Sequence, residues 1–133
     1  MEYNSTTGPA PSNCTGFGYD ITAVQNITGA LSIPGVVSVA QASFHGQHPS
    51  SYWNQTELPL NLTSLDLPDL VTVGDGFDFD WADKLSSLSV PKLTHVGYGL
   101  SFNLSGEDPP AINLSFPSLY YAEGIFLTGN IDA

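Results

Sequence analysis

Positive charge is nearly absent from this sequence of 133 residues, which has no arginine and only Lys84 and Lys92 as fully basic side chains. Its thirteen acidic residues leave a formal net charge of −11 at pH 7. Nucleic-acid backbones and anionic membrane surfaces are held by clustered lysine and arginine side chains. A nucleic-acid partner is therefore not expected, and binding to an anionic membrane is disfavoured.

Cysteine and long apolar runs are scarce as well. Cys14 is the only cysteine, so no disulfide is possible within this segment. No apolar stretch reaches the roughly 18 residues of a transmembrane helix. The first residues, Met1 to Asn4, lack the basic start and apolar run of a signal peptide. The chain is long enough for one domain, and its 41% of hydrophobic residues suffice for a single core.

Asparagine occurs almost only in one context. Seven of the eight asparagines begin an Asn-x-Ser/Thr triplet without proline in the middle, and only Asn130 does not. Chance would place about one or two of eight asparagines in such triplets. The pattern predicts a heavily N-glycosylated protein of the extracellular space or cell surface, whose signal peptide is missing from this sequence. The predicted glycosylation sites are Asn4, Asn13, Asn26, Asn54, Asn61, Asn103 and Asn113.

A repeat appears when four prolines are aligned. Pro34, Pro68, Pro91 and Pro117 each follow two apolar residues that are separated by one position. The steps from the second proline to the third and from the third to the fourth are of the length typical of leucine-rich solenoid repeats. The step from the first proline to the second is longer and indicates an insertion, for which residues 47–54 are the candidate.

A second signature follows each of the last three prolines. It is a glycine and then an apolar–x–apolar triplet, as in Gly76-Phe77-Asp78-Phe79. This alternation places both apolar side chains on one face of a strand. Each repeat is therefore predicted to contain two short strands, the first ended by proline and the second opened by glycine at a sharp turn.

Stacking of the repeats is required because one repeat cannot bury its own apolar residues. The fold class that follows is all-β, a right-handed parallel β-solenoid of leucine-rich coils. Equivalent residues of adjacent repeats are predicted to cover one another in the core, namely Leu65, Leu67, Leu70 and Val73 with Leu88, Val90, Leu93 and Val96.

The chain is divided into an N-terminal segment or partial cap, residues 1–29, and a solenoid domain, residues 30–133. Ile21, Val24, Ile27 and Leu31 have the spacing that a helical cap would use. Solenoids need caps over their terminal repeats. Because residues 128–133 look like the beginning of another repeat, the domain is interpreted as truncated at its C-terminus.

The repeat at residues 62–74 reads Leu-x-Ser-Leu-x-Leu-Pro-x-Leu-x-x-Val-Gly and recurs with one Leu-to-Val change at 85–97. It resembles the repeats of the fungal GPI-anchored cell-wall-organisation proteins, which are similar to the receptor L domain. The resemblance spans about residues 30–127. It implies a secreted, surface-anchored glycoprotein with a structural or recognition role in cell-wall organisation and no catalytic residues. The family's signal peptide, Ser/Thr-rich stalk with GPI tail and paired cap cysteines have no counterpart in this sequence.

An acidic cluster occupies residues 75–83. Asp78 and Asp80 alternate with Phe77 and Phe79, which places the two carboxylates on the solvent face. We interpret them as charges that discourage edge-to-edge pairing of a strand. The alternative function is a β-helix carbohydrate-active enzyme in which Asp78 and Asp80 act as the two carboxylates of glycoside hydrolysis. Since arginine is absent and the two lysines are far apart in the repeat, a non-enzymatic role is favoured.

Aromatic residues supply the candidate ligand face. If Tyr52 and Trp53 are exposed beside Trp81, they form with Asp78 and Asp80 a platform on which glycans stack; if buried, they fill the gap left by an irregular repeat. No metal site is predicted, because the chain's three histidines cannot by themselves supply four zinc ligands. No cofactor and no catalytic residue are predicted either. The expected partner is a cell-wall glycan or a surface protein, and the oligomeric state stays open.

Overall fold

The computed structural model describes residues 3–4, 20–24, 28–46, 60–105 and 108–132, with side chains for 28–46, 60–105 and 108–131. Within these ranges the chain is built from strands and turns, with no helix that could cross a membrane. The predicted all-β class is thereby confirmed for the described residues. The strands are β1 (Tyr3–Asn4), β2 (Asp20–Val24), β3 (Gly29–Ser32), β4 (Ser38–Val39), β5 (Gln41–His45), β6 (Leu62–Asp66), β7 (Thr72–Val73), β8 (Phe77–Asp80), β9 (Ser87–Ser89), β10 (His95–Asn103), β11 (Ile112–Asn113), β12 (Tyr121–Thr128) and β13 (Ile131–Asp132).

These strands form two sheets in which every pairing is parallel. The larger sheet has eight strands in the order β1-β2-β5-β8-β10-β7-β4, and β12 also pairs with β10. The smaller sheet has the order β13-β11-β9-β6-β3. Because strands with a similar place in successive repeats are neighbours, the connections between them run through the other sheet.

The register of the strands follows the spacing of the four repeated prolines. Leu31 pairs with Leu65, an offset equal to the step from the first proline to the second. Leu65 pairs with Leu88, which equals the step from the second proline to the third. Ser87 pairs with Asn113, which equals the step from the third to the fourth. At these three pairs of the smaller sheet the offset between strands equals the spacing of the prolines. In the larger sheet, Ala42 pairs with Phe77 and Gly99 with Gly124, which is one residue more and one residue less than the corresponding proline steps. The proposed insertion at 47–54 lies outside the described residues.

The core consists of the residues that the repeat predicts. All eight core positions predicted in the two central repeats are buried, and Leu88, at 7% exposure, is the least covered of them. Equivalent positions are adjacent in the sheets, since Leu65 pairs with Leu88 and Val73 with Val96. At about 25 cal/mol per Å² of apolar area removed from water, such aligned burial is the main stabilising contribution to the fold.

Phenylalanine side chains form the second part of the core. Phe79 stacks on Phe44, with ring centroids 4.8 Å apart, and meets Phe102 edge-on, also at 4.8 Å. Phe77 lies 5.6 Å from both Phe79 and Phe102. Offset and edge-to-face pairs of this kind add about 0.5–1.5 kcal/mol beyond area burial.

The first and the second repeat each contain one strand more than the sequence predicts. In the second repeat, residues 72–73 form β7, which lies along the chain between the two predicted strands, β6 and β8. β7 pairs with β4 and β10. In the third repeat, the single strand β10 corresponds to both β7 and β8, because it pairs with β7 at one end and with β8 at the other. A two-residue strand has too few positions for alternation to reveal it, so only its pairing identifies it.

The helix expected from Ile21 to Leu31 is not formed. Residues 20–24 are strand β2, paired in parallel with β5, and residues 29–32 are strand β3, paired with β6. The spacing of the apolar residues in this segment fits a helix, but backbone pairing with neighbouring strands overrides this local period. Part of segment 1–29 therefore extends the larger sheet.

The repeated prolines open tight turns. Leu70 N–H donates to Leu67 O, Leu93 N–H to Val90 O and Leu119 N–H to Phe116 O, each across a Pro-x pair. Proline fits the second position of such a four-residue turn because its ring already fixes φ in the range that this position requires. In the first repeat the residue after proline is Gly35, whose φ of 83° favours glycine.

Candidate functional site

The acidic strand β8 has the predicted alternation. Phe77 and Phe79 are buried on its inner face, and Asp78 and Asp80 are half-buried on its outer face. Gln41 Nε2 donates to Asp78 Oδ2 at 3.4 Å, and Asn103 Nδ2 donates to Asp80 Oδ1 at 3.0 Å. Each carboxylate is therefore held by an amide side chain of an adjacent strand.

The predicted role of these carboxylates at a strand edge is wrong. β8 lies between β5 and β10 and is an interior strand of the larger sheet. Its charges cannot discourage pairing of an edge, because both of its edges are paired. The error arose because alternation reveals the two faces of a strand but gives no information on its neighbours.

The aromatic residues proposed as a platform are only partly placed. Trp81 follows β8, is half-buried and has a φ of 58°. Its carbonyl oxygen accepts a hydrogen bond from Leu60 N–H at 3.1 Å. A left-handed backbone conformation is unfavourable for a residue with a Cβ. At Trp81 it coincides with the end of β8, so the alternation of inward and outward side chains stops there. Tyr52 and Trp53 lie outside the described residues.

The predicted glycosylation sites have different surroundings. Asn61 and Asn113 are exposed, whereas Asn103 is half-buried and its amide is engaged with Asp80. An N-linked glycan is attached through the same Nδ2 atom that makes this hydrogen bond. Asn4 lies in β1 with no described side chain, and three sites lie outside the described residues, namely Asn13, Asn26 and Asn54.

A second electrostatic feature joins the proline turns of three repeats. Asp69 Oδ2 accepts a hydrogen bond from Gly35 N–H at 2.9 Å, and its Oδ1 lies 2.7 Å from Lys92 Nζ. The hydrogen bond and charge of Lys92, together with the Gly35 N–H, lower the pKa of the Asp69 carboxyl from its ordinary value of 3.8. The pair is largely exposed, which keeps its contribution small.

Three glycines stand in a row across the larger sheet. Gly76, Gly99 and Gly124 stand one position before the residues Phe77, Leu100 and Ile125 that β8, β10 and β12 align. We call this row, with its bordering side chains, the glycine furrow. At its open end Tyr98, Glu123 and Phe126 surround Gly99 and Gly124 around a cleft of about 180 Å³.

Close approach, not a sharp turn, is the reason for these glycines. None of the three has a positive φ, in contrast to Gly35. A Cβ on Gly76 would lie 2.8 Å from the Asp78 carboxylate, and a Cβ on Gly124 would lie 2.9 Å from the Phe126 ring. The missing side chains let residues two positions further along lean over the furrow.

A β-bulge positions the walls at the open end. Val96 pairs with Ala122 and Gly99 with Gly124, so two residues of β10 stand opposite Glu123 alone. The two residues are Gly97 and Tyr98. Tyr98 N–H donates to Asp75 O at 3.1 Å, and the Tyr98 side chain is 66% exposed. Bulges redirect side chains and are common beside functional sites.

Four exposed aromatic side chains belong to β10, to β12 and to the residue before β12. Tyr98, Tyr120, Tyr121 and Phe126 are exposed, and Tyr121 stacks on His95 with ring centroids 4.7 Å apart. Phe126 was not predicted from the sequence as a site residue. The signal in the sequence was that Phe126 occupies the outward position of its triplet, where the two preceding repeats have the polar residues Asp78 and Ser101.

Metal ligands do not converge in the part of the chain with described side chains. There, no group of three or more His, Cys, Asp or Glu side chains is arranged to hold an ion. His45 and His95 lie on different strands, and His48 is outside the described residues.

The chain matches no protein-family model, no curated protein and no solved structure.

Proposed function

We propose that this chain is a non-enzymatic module of a secreted, N-glycosylated cell-surface protein with a structural or recognition role in fungal cell-wall organisation. The observation that carries the proposal is the use of seven of eight asparagines in glycosylation triplets. Asn61 and Asn113, two of these, are exposed beside or within strands of the smaller sheet. Glycans there would project into solvent without disturbing the core.

The architecture we propose for this module is a right-handed parallel β-solenoid of L-domain-like leucine-rich coils. Three features support it: parallel pairing throughout the described strands, one shared offset between the two central repeats in both sheets, and a proline turn at the same place in each repeat. In such a solenoid each coil contacts only its neighbours.

The coil architecture is testable by deleting whole and partial periods. Removing residues 68–90, one whole period, would join Leu67 to Pro91 and preserve the Leu-Pro turn. We expect this deletion to leave a cooperatively folded protein by circular dichroism and urea unfolding. Removing residues 68–79 alone would put the following strands out of register and abolish folding. Equal behaviour of the two deletions would contradict the repeat.

The alternative function is a β-helix carbohydrate-active enzyme that uses Asp78 and Asp80. Glycoside hydrolysis needs two carboxylates that flank the scissile bond. Asp78 and Asp80 instead share one face of one strand, and each accepts a hydrogen bond from an amide side chain. This geometry gives the enzyme less support than the binding module.

The test is secretion of the full chain from a eukaryotic host behind a heterologous signal peptide, with site occupancy mapped by mass spectrometry. We expect occupancy at Asn61 and Asn113 and little at Asn103, since its amide is engaged. The Thr63→Ala variant, which removes the triplet of Asn61, is the control for site assignment. Folded protein with Asn61 and Asn113 both empty would overturn the proposal.

Recognition and catalysis are separated by a second measurement on the same material. A soluble-glycan array reports binding, and incubation with the bound glycans reports cleavage. The proposal expects binding without cleavage. Cleavage that disappears in both Asp78→Asn and Asp80→Asn would establish the enzyme instead.

A further inference from the structure

We propose that the open end of the glycine furrow binds a cationic side chain, a lysine ammonium or an arginine guanidinium, presented by a basic segment of a partner protein. This inference rests on the recognition role proposed above, but it does not depend on glycosylation or on a cell-wall location. It names the chemistry of the partner and the residues that would hold it.

The shape of the cleft suits a flat or slender group. Its floor is backbone, because Gly99 and Gly124 have no side chains and a Cβ on Gly99 would lie 3.0 Å from Gly124 O. Its sides include two aromatic side chains, Tyr98 and Phe126, which are 66% and 69% exposed. Exposed aromatic faces carry negative potential and attract ammonium and guanidinium groups.

The charge around the cleft has a single sign. Glu123 lines it, and Asp78 leans over the next glycine of the same furrow. Neither lysine of the chain neutralises these groups, because Lys84 lies 3.4 Å from Asp83 and Lys92 lies 2.7 Å from Asp69. A net charge of −11 draws cationic partners towards the whole surface, and the cleft adds a place for one positive group.

The charge of the cleft favours a basic polypeptide over a sugar. Glu123 contributes a carboxylate to the cleft, and the chain has a net charge of −11. A lysine or arginine side chain would use both the carboxylate and the aromatic rings. A neutral saccharide would use the aromatic rings but would gain nothing from the carboxylates.

The test uses trilysine with acetylated N-terminus and amidated C-terminus as the probe, titrated into the full chain at low salt and followed by NMR. We expect saturable binding with shifts at Tyr98, Gly99, Glu123 and Gly124. Glu123→Gln and Phe126→Ala should each weaken binding about two- to fivefold, the usual size of one exposed charge or cation–π contact. Binding should also fall as salt is raised, since the charges are exposed.

Matched controls separate the cleft from general attraction. Tyr120→Ala removes an aromatic ring that is 91% exposed and does not line the cleft, so it should leave trilysine affinity unchanged. Trilysine with acetylated side chains, which keeps the backbone and loses the charge, should not bind. Thermal melts by circular dichroism establish that each variant is folded.

Two outcomes would overturn the inference. One is trilysine binding that neither Glu123→Gln nor Phe126→Ala weakens, which would mean diffuse attraction. The other is binding of a neutral glucose tetrasaccharide at these residues without binding of trilysine. Occupied glycosylation sites with no trilysine binding would remove this inference alone, whereas empty sites with trilysine binding would remove only the proposed glycoprotein identity.

Discussion

Truncation of Phe79 to alanine tests the aromatic part of the core. Phe79 is 1% exposed, and its ring contacts Phe44 and Phe102 at 4.8 Å and Phe77 at 5.6 Å. It therefore joins the layers of three consecutive repeats. Loss of the ring removes its own burial and also leaves a cavity lined by the other three rings, which cannot collapse without shifting a paired strand.

The expected loss in the free energy of unfolding is about 3–5 kcal/mol, the range for a buried phenylalanine replaced by alanine. Because three rings lose a partner, we expect the upper half of that range. Whole domains of this size are stable by about 5–15 kcal/mol, so about a quarter or more of the stability would be lost. The midpoint of thermal unfolding should fall by about 10–20 °C.

The assay is urea unfolding followed by far-UV circular dichroism, with Phe126→Ala as the matched control. Phe126 undergoes the same substitution in β12 but is 69% exposed, so its variant should lose less than about 1 kcal/mol. If the two variants have unfolding free energies within about 1 kcal/mol of each other, the assignment of Phe79 to a packed core is refuted.

Three further predictions follow from other parts of the structure. Leu88→Asp places an unpaired charge at a position that is 7% exposed and should abolish the cooperative circular dichroism melt, whereas Asp78→Asn, on the outer face, should leave it nearly unchanged. Asp69→Asn should flatten the pH dependence of the urea midpoint: because folding lowers the Asp69 pKa, its stabilising contribution is present above the ordinary value of 3.8 and is lost as the pH falls through the folded value. An unchanged profile between wild type and variant would show that the contacts with Lys92 and Gly35 do not matter. Gly97→Ala should destabilise by about 1–3 kcal/mol because its Cβ would collide with the carbonyl oxygen of Gly74, while Gly74→Ala, which meets only ordinary contacts at 3.5 Å or more, should be tolerated; equal urea midpoints would contradict this packing.

The core and the strand register were predictable from the sequence. The alternation in Leu65-Asp66-Leu67 and the offset of one repeat to Leu88 specify which side chains point inward and which repeat covers them. Both are properties of local period, and a parallel strand shifted by one residue would expose its whole apolar set. The spacing therefore determined the register wherever two adjacent repeats were similar.

The candidate site was predictable only in part. Asp78 and Asp80 were placed correctly on the outer face, but their hydrogen bonds to Gln41 and Asn103 reach residues of other repeats. The glycine furrow was missed because each of its glycines reads locally as a turn. Its walls converge only when β12 lies beside β10 with a bulge opposite Glu123.

The sequence by itself determined the strand class, the inward residues, the offset between the two central repeats and the excess of negative charge, because each depends on residue type and on spacing along the chain. Only the tertiary structure decided that β8 is an interior strand, that residues 20–24 are strand and not helix, and that Tyr98, Glu123 and Phe126 share one cleft. These features depend on which strands become neighbours. Which strands become neighbours depends on pairing and packing between segments that are distant in the chain, and local periodicity contains no information on such pairs.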